Sequence, residues 1–193
     1  MLRAVIFDFF SVFREDIYQE FLDSAAGISD DVKSQVETAL NNYYQGITSM
    51  KSLRSDLEII YRTHDIPTEE LLIEKLNIPD EFVNITKKLH MHFLKVILAG
   101  NFGEQEKKLL ETFNNETKQF DSIITPANYG ELLTSNKFFE GMLNEIGEPP
   151  QNCILISGHE DYINFASSIG MVTYLYTDYR SFFKEIHSVF NLD

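Results

Sequence analysis

Arg3-Ala4-Val5-Ile6-Phe7-Asp8-Phe9-Phe10-Ser11-Val12-Phe13 decides how the rest of this chain is read. Ala4 to Phe7 form an unbroken apolar run, the mark of a strand covered on both faces. Asp8 interrupts the run, and apolar residues resume behind it. A lone carboxylate in such company is costly unless hydrogen bonds or a cation hold it. Parallel α/β sheets collect their ligands outside the carboxyl ends of strands. Asp8 is therefore the first candidate for chemistry.

Four further apolar runs read as buried strands: Leu94–Ala99, Ser122–Thr125, Cys153–Ser157 and Val172–Tyr176. A helical pattern follows each. Leu109, Leu110 and Phe113 share one face of a helix from Glu104 to Phe113. Phe138, Phe139, Met142, Leu143 and Ile146 share another, closed by Gly147 and Pro149-Pro150. A third pattern runs from Tyr162 to Ile169 and ends at Gly170. Asp178 is placed to cap a last helix whose core face is Phe182, Phe183, Ile186 and Phe190. Strand–helix alternation implies a parallel sheet with right-handed crossovers.

Between Phe13 and His92 the spacing is helical throughout. Phe21, Leu22, Val32, Val36, Leu40, Tyr43 and Tyr44 recur on it, then Leu53, Leu57, Ile60 and Tyr61. Leu71, Leu72 and Leu76 follow, then Phe82, Ile85 and Leu89. Gly27, Gly46, Ile66-Pro67 and Ile78-Pro79 punctuate the stretch. This predicts a helical insert placed directly after the first strand, where it can cover Asp8.

Composition sets outer limits. A chain of 193 residues suffices for one sizeable core with a small insert. Its net charge of −14 argues against nucleic acid and against a polybasic membrane patch. Asp8 splits what would be the apolar stretch of a signal peptide, and no apolar run approaches a membrane span. The single cysteine, Cys153, reads as a small core residue in a reducing, cytoplasmic setting.

With that layout the chain resembles the haloacid dehalogenase (HAD) superfamily, in the group with a small helical (type C1) cap after the first strand. Members open with Asp-x-Asp-Gly-(Thr/Val), and Asp8-Phe9-Phe10-Ser11-Val12 stands in that place. Asn-Tyr-Tyr-Gln-Gly46-Ile-Thr is similar to the usual cap segment. Leu98-Ala99-Gly100-Asn101 is similar to Leu-Ser-Asn, and Phe120-Asp121-Ser122-Ile123-Ile124 to Phe-Asp-x-Ile-Ile. Asn128-Tyr129-Gly130 leads into the helix where members carry Gly-x-x-Lys-Pro. Cys153-Ile154-Leu155-Ile156 precedes the slot of the acidic pair, and Ala166-Ser-Ser-Ile-Gly170-Met171 is similar to the stretch that follows it.

The resemblance implies a fold class of α/β. The expected architecture is a HAD-like, doubly wound, Rossmann-like parallel sheet of about five strands with an inserted helical cap. Residues 1–13 and 92–193 would form the core, and residues 14–91 the cap. It also implies a catalytic set: a nucleophilic Asp, a second Asp as acid and base, a Ser or Thr and a Lys for the phosphoryl group, and acidic ligands for Mg²⁺. Asp8 matches the nucleophile. Phe10 stands in the acid/base slot, and a phenyl ring transfers no proton. Gly100 replaces the hydroxyl, Leu133 the Lys, and Ser157-Gly158 the acidic pair. Lys137, one turn past Leu133, could reach back, and Glu160 or Asp161 could reach a metal.

The expectation drawn from this pattern is a vestigial phosphatase site without a cofactor, kept as a module that binds a protein partner or a second copy. Mg²⁺ is expected only if the site is active. The alternative is a working hydrolase, either a phosphatase with relocated ligands or a metal-free dehalogenase-like enzyme. The dehalogenases of the superfamily carry an aromatic residue in the place of Phe10, a Ser in that of Ser157 and an Asn in that of Asn101. Asp8 also reads as a structural carboxylate held by backbone N–H groups of the following loop, and Phe10 as a filler of the substrate space. His159 lies beside the pocket as a polar helix-start residue. His90 and His92 show no third ligand for a metal.

Overall fold

The computed structural model describes residues 1–13, 29–62, 76, 78–92 and 94–190. Five parallel strands form one sheet: β1 (Ala4–Asp8), β2 (Lys95–Ala99), β3 (Ser122–Ile124), β4 (Cys153–Ser157) and β5 (Val172–Leu175), in the order β3-β2-β1-β4-β5. The sequence places all of them to within two residues. β1 is central, with Asp8 opposite Ala99 of β2 and Phe7 opposite Ile156 of β4.

Side chains alternate across the sheet as strand geometry requires. Val5, Phe7, Val96, Leu98, Ile154 and Ile156 enter one hydrophobic layer. Ala4, Ile6, Ile97, Ala99, Cys153 and Leu155 enter the other. Helices cover both faces, which is why β1 and β4 are buried along their whole length. The edge strand β5, expected from its apolar run to be buried, is not, because no strand lies beyond it and Val172 and Leu175 stay partly exposed. The first layer is covered by α4 (Asp80–Met91), α5 (Glu104–Thr117) and α8 (Tyr179–Phe190). The second is covered by α6 (Asn136–Ile146) and α7 (Glu160–Ser168).

Local signals set the helix ends. Ser135 Oγ accepts from Phe138 N to start α6, and Gly147 ends it at φ +71°, a conformation that costs glycine little. Asp178 Oδ1 accepts from Ser181 N at the start of α8. The core face of α8 needs one correction. Phe182 and Ile186 are buried, but Phe183 is 41% exposed and its ring lies tilted against that of His187 instead. Phe182 and Phe183 are adjacent, so on a helix they point about 100° apart.

Before β2 lie α1 (Phe9–Val12), a single turn, then α2 (Asp30–Tyr44) and α3 (Met50–Tyr61). Val36, Leu40, Tyr43, Tyr44, Leu53 and Leu57 give α2 and α3 a hydrophobic cluster of their own. By contrast Phe82, Ile85 and Leu89 of α4 pack with the sheet. The helical spacing expected at Phe21, Leu22, Gly27, Ile66-Pro67, Leu71 and Leu72 lies outside the described residues.

Two close approaches seat α2 on the core. The Tyr43 ring lies against Gly103, where a Cβ would collide with it, and its hydroxyl donates to the buried carboxylate of Glu106 in α5. Gly46, at φ +74°, comes so near Ala127 that a Cβ there would stand 3.1 Å from the alanine Cβ. No described helix is long and apolar enough to cross a membrane.

Candidate active site

The chain leaves β1 for β2 on one side and later crosses from β3 to β4 on the other. The ends of β1 and β4 therefore flank the point where strand order reverses, the usual ligand crevice of such sheets. Asp8 closes β1 and Ser157 closes β4.

Asp8 is 2% exposed. The hydroxyls of Ser11 and Ser157 both donate to its Oδ2, each at 2.6 Å. Ser11 Oγ lies 3.3 Å from Ser157 Oγ and accepts from Gly158 N at 2.8 Å. Ser157 Oγ accepts from His159 N at 3.0 Å. The donors that hold Asp8 are thus side-chain hydroxyls, where the sequence suggests backbone N–H groups. Burial pushes the Asp8 carboxyl above the usual range, and it outweighs the opposing pull of Ser11, Ser157 and the nearby His159.

His159 sits at the start of α7, half exposed, with Nε2 4.0 Å from Asp8 Oδ2 and its ring 4.9 Å from that of Tyr162. Asn101 Nδ2 donates to Tyr162 Oη at 2.6 Å, and its Oδ1 accepts from Leu133 N at 3.3 Å. Asn101 thereby ties the end of β2 to α7 and to the loop before α6.

Other positions are filled by apolar groups. Phe10 is 8% exposed and packs edge-on against Phe9 and Phe102. The ring lying over Gly100 belongs to Phe102: a Cβ on Gly100 would stand 2.5 Å from its Cε1. Leu133 is 1% exposed within the second hydrophobic layer. Lys137 Nζ reaches Glu131 at 3.3 Å, which is the partner the structure gives it. Glu160 and Asp161 are exposed on the first turn of α7.

A Mg²⁺ ion asks for near-octahedral oxygen ligands, with one or two carboxylates among them. The groups around Asp8 do not fit it. The neighbouring oxygens are hydroxyls already committed to Asp8 and to backbone N–H groups. A side chain at Gly158 would begin 3.1 Å from Ser11 Cβ and 3.3 Å from Ser11 O. Among the described residues no three His, Cys, Asp or Glu side chains gather to hold a metal. His90 binds the Gln119 carbonyl at 3.0 Å and lies 3.7 Å from Asp121.

Sequence reading missed Ser11, Phe102 and Tyr162. Ser11 carried a signal, since it stands where the resembling family has glycine. Phe102 and Tyr162 carried none, because their roles depend on packing between distant segments.

No protein-family model matches the sequence, and no curated protein matches it. Solved structures do. The HAD family enzyme BT-2542 from Bacteroides thetaiotaomicron is 15% identical, with 94% of this chain and 98% of that chain covered and a TM-score of 0.72. That enzyme has also been solved in complex with magnesium and inorganic phosphate. A predicted HAD-like family hydrolase from Porphyromonas gingivalis is 15% identical, covers 98% of each chain and gives a TM-score of 0.74. The L-2-haloacid dehalogenase PA0810 is 17% identical, with 90% and 83% covered and a TM-score of 0.59. At such identities likeness speaks for the fold alone: this chain has the HAD-like α/β fold of those structures.

Proposed function

We propose that this HAD-fold chain carries a vestigial phosphatase site and works as a binding or assembly module, with Asp8 as a structural carboxylate. The observation that carries this reading is the pair of hydroxyls, Ser11 and Ser157, that both donate to Asp8 Oδ2. Both bonds come from within the chain and fix the carboxylate in place, as hydrogen bonds from its own neighbours hold a structural carboxylate. Phe10 supports the same reading, because it offers no proton to a leaving group. Leu133 within the core and Lys137 paired with Glu131 leave no lysine set against Asp8 among the described residues. Each such loss costs roughly 10²–10³ or more in rate, though not additively.

In this reading α2 and α3 belong to a cap drawn from residues 14–91, set on a core of 1–13 and 92–193, with α4 packed on the core. The partner is a protein or a second copy of the chain, because an excess of 30 acidic over 16 basic residues repels nucleic acid and anionic membrane. A reducing, cytoplasmic setting suits Cys153, a buried thiol pushed up to about 11 by burial and by Glu148.

The test is product release by the full chain, with Mg²⁺, from phosphomonoesters and from 2-haloacids, with Asp8→Asn as control. The expected result is equal background from both proteins. Phosphate release that Asp8→Asn abolishes would overturn the proposal. A second reading, a metal-free dehalogenase-like enzyme, draws on Asp8, Ser157 and Asn101 standing at one sheet edge. Its signature would be halide release that depends on Asp8.

A further inference from the structure

Ser11 and Gly158 face each other across the switch point. Ser11 Cβ stands 3.1 Å from where a Cβ of residue 158 would be, so the two positions share one space. No left-handed φ explains the glycine at 158, since its backbone is one that other residues adopt. The nearest obstacle to a side chain there is the Ser11 Cβ, with the carbonyl oxygens of Ser11 and Tyr176 at 3.3 and 3.4 Å beside it. In return, Ser11 Oγ accepts from Gly158 N at 2.8 Å and donates to Asp8 Oδ2 at 2.6 Å. It also lies 3.3 Å from Ser157 Oγ. A small, electropositive hydroxyl proton thus sits against the carboxylate oxygen, beside the strand end where the resembling family places acidic ligands. In that family the glycine is at the first position and the side chain at the second. Here the two are reversed.

We propose that Ser11 and Gly158 are a reciprocal exchange of side-chain space, in which the Ser11 hydroxyl takes the place of a divalent cation at Asp8. Reversing the exchange, with glycine at 11 and a carboxylate at 158, then restores a cation site. The inference rests on the vestigial-site reading and gives it a physical cause. Neither residue changes alone without loss. A side chain at 158 meets Ser11, and a glycine at 11 strips Asp8 of one of its hydroxyl donors.

The experiment is calorimetric titration with MgCl₂ alone, on the full chain and on Asp8→Asn, Ser11→Gly, Gly158→Asp, the double variant Ser11→Gly/Gly158→Asp, and that double variant with Asp8→Asn. The double variant is expected to bind Mg²⁺ saturably, and Asp8→Asn to abolish the binding. The wild type is expected to give no heat beyond dilution. A folded double variant that takes up no Mg²⁺, beside a silent wild type, overturns the exchange and leaves the vestigial-site reading standing. Mg²⁺ binding by the wild type that Asp8→Asn removes overturns that reading too.

A second measurement does not depend on the double variant binding anything. Gly158→Ala should lower the thermal midpoint in the Ser11 background and lower it by less than half as much in the Ser11→Gly background. Equal lowering in both backgrounds would show that the two positions do not share space.

Discussion

Asp8 feels opposed influences on its proton. Burial disfavours its charge, while two hydroxyl donors and His159 favour it, and burial wins. Its folded pKa is raised above the ordinary 3.8. For a group shifted upward, the contribution to stability is complete below the unfolded pKa and is lost as pH rises through the folded one. Between those values the unfolded chain has released the proton and the folded chain still holds it, so stability falls by about 1.4 kcal/mol per pH unit. Asn at this position accepts hydrogen bonds without titrating. Relative to wild type, Asp8→Asn should therefore gain stability as pH climbs from about 4, the ordinary carboxylate value. Urea denaturation of both proteins at several pH values reads that gap. A gap independent of pH would mean that Asp8 titrates alike folded and unfolded.

At the scale of elements, the joint between α2 and α5 rests on Tyr43. Its ring occupies the space that Gly103 leaves open, and its hydroxyl donates to the Glu106 carboxylate, which is buried. Tyr43→Phe keeps the ring and removes one donor to Glu106. Leaving a buried acceptor short of a donor costs about 1–3 kcal/mol, more when it is charged. The expected result is a lower urea midpoint with an unchanged denaturant slope, since the exposed surface stays the same. An unchanged midpoint would show that the hydroxyl adds nothing to the joint. Half of this joint could be read in the sequence. The helical spacing that ends at Tyr43-Tyr44 marks the residue as buried. Nothing in that spacing tells that its ring lies on Gly103, 60 positions further along. Contacts within an element leave a period in the sequence, whereas contacts between elements depend on how the elements are laid together.

Across the whole molecule, the same division explains what could be read beforehand. The strands announced themselves because a sheet covered on both faces needs apolar residues at every position, as Val5, Ile6, Leu98 and Leu155 illustrate. Asp8 stood out by breaking such a run. Ser11 showed only as a departure from the glycine of the resembling family, and its value appears only beside Gly158 and Ser157. Phe183 was misplaced because an aromatic residue next to a buried one looks buried in a one-dimensional pattern. Charge, by contrast, is fully written in the composition and acts on the molecule as one object. With 30 acidic against 16 basic residues, the compact state concentrates a net −14. Pairs such as Lys108–Glu104 and Arg54–Glu58 are exposed, single-turn pairs of little individual worth. Repulsion among the surplus carboxylates should then outweigh them. Raising NaCl from about 0.01 M to about 0.1 M shortens the screening length from about 30 Å to about 10 Å. That shields repulsion across the molecule more than it weakens pairs already in contact. The thermal midpoint should therefore rise with salt, and each 1 kcal/mol of relief corresponds to roughly 2–4 °C for a chain of this size. A midpoint that falls with salt would mean that the specific ion pairs, and not the surplus charge, govern the electrostatic part of its stability.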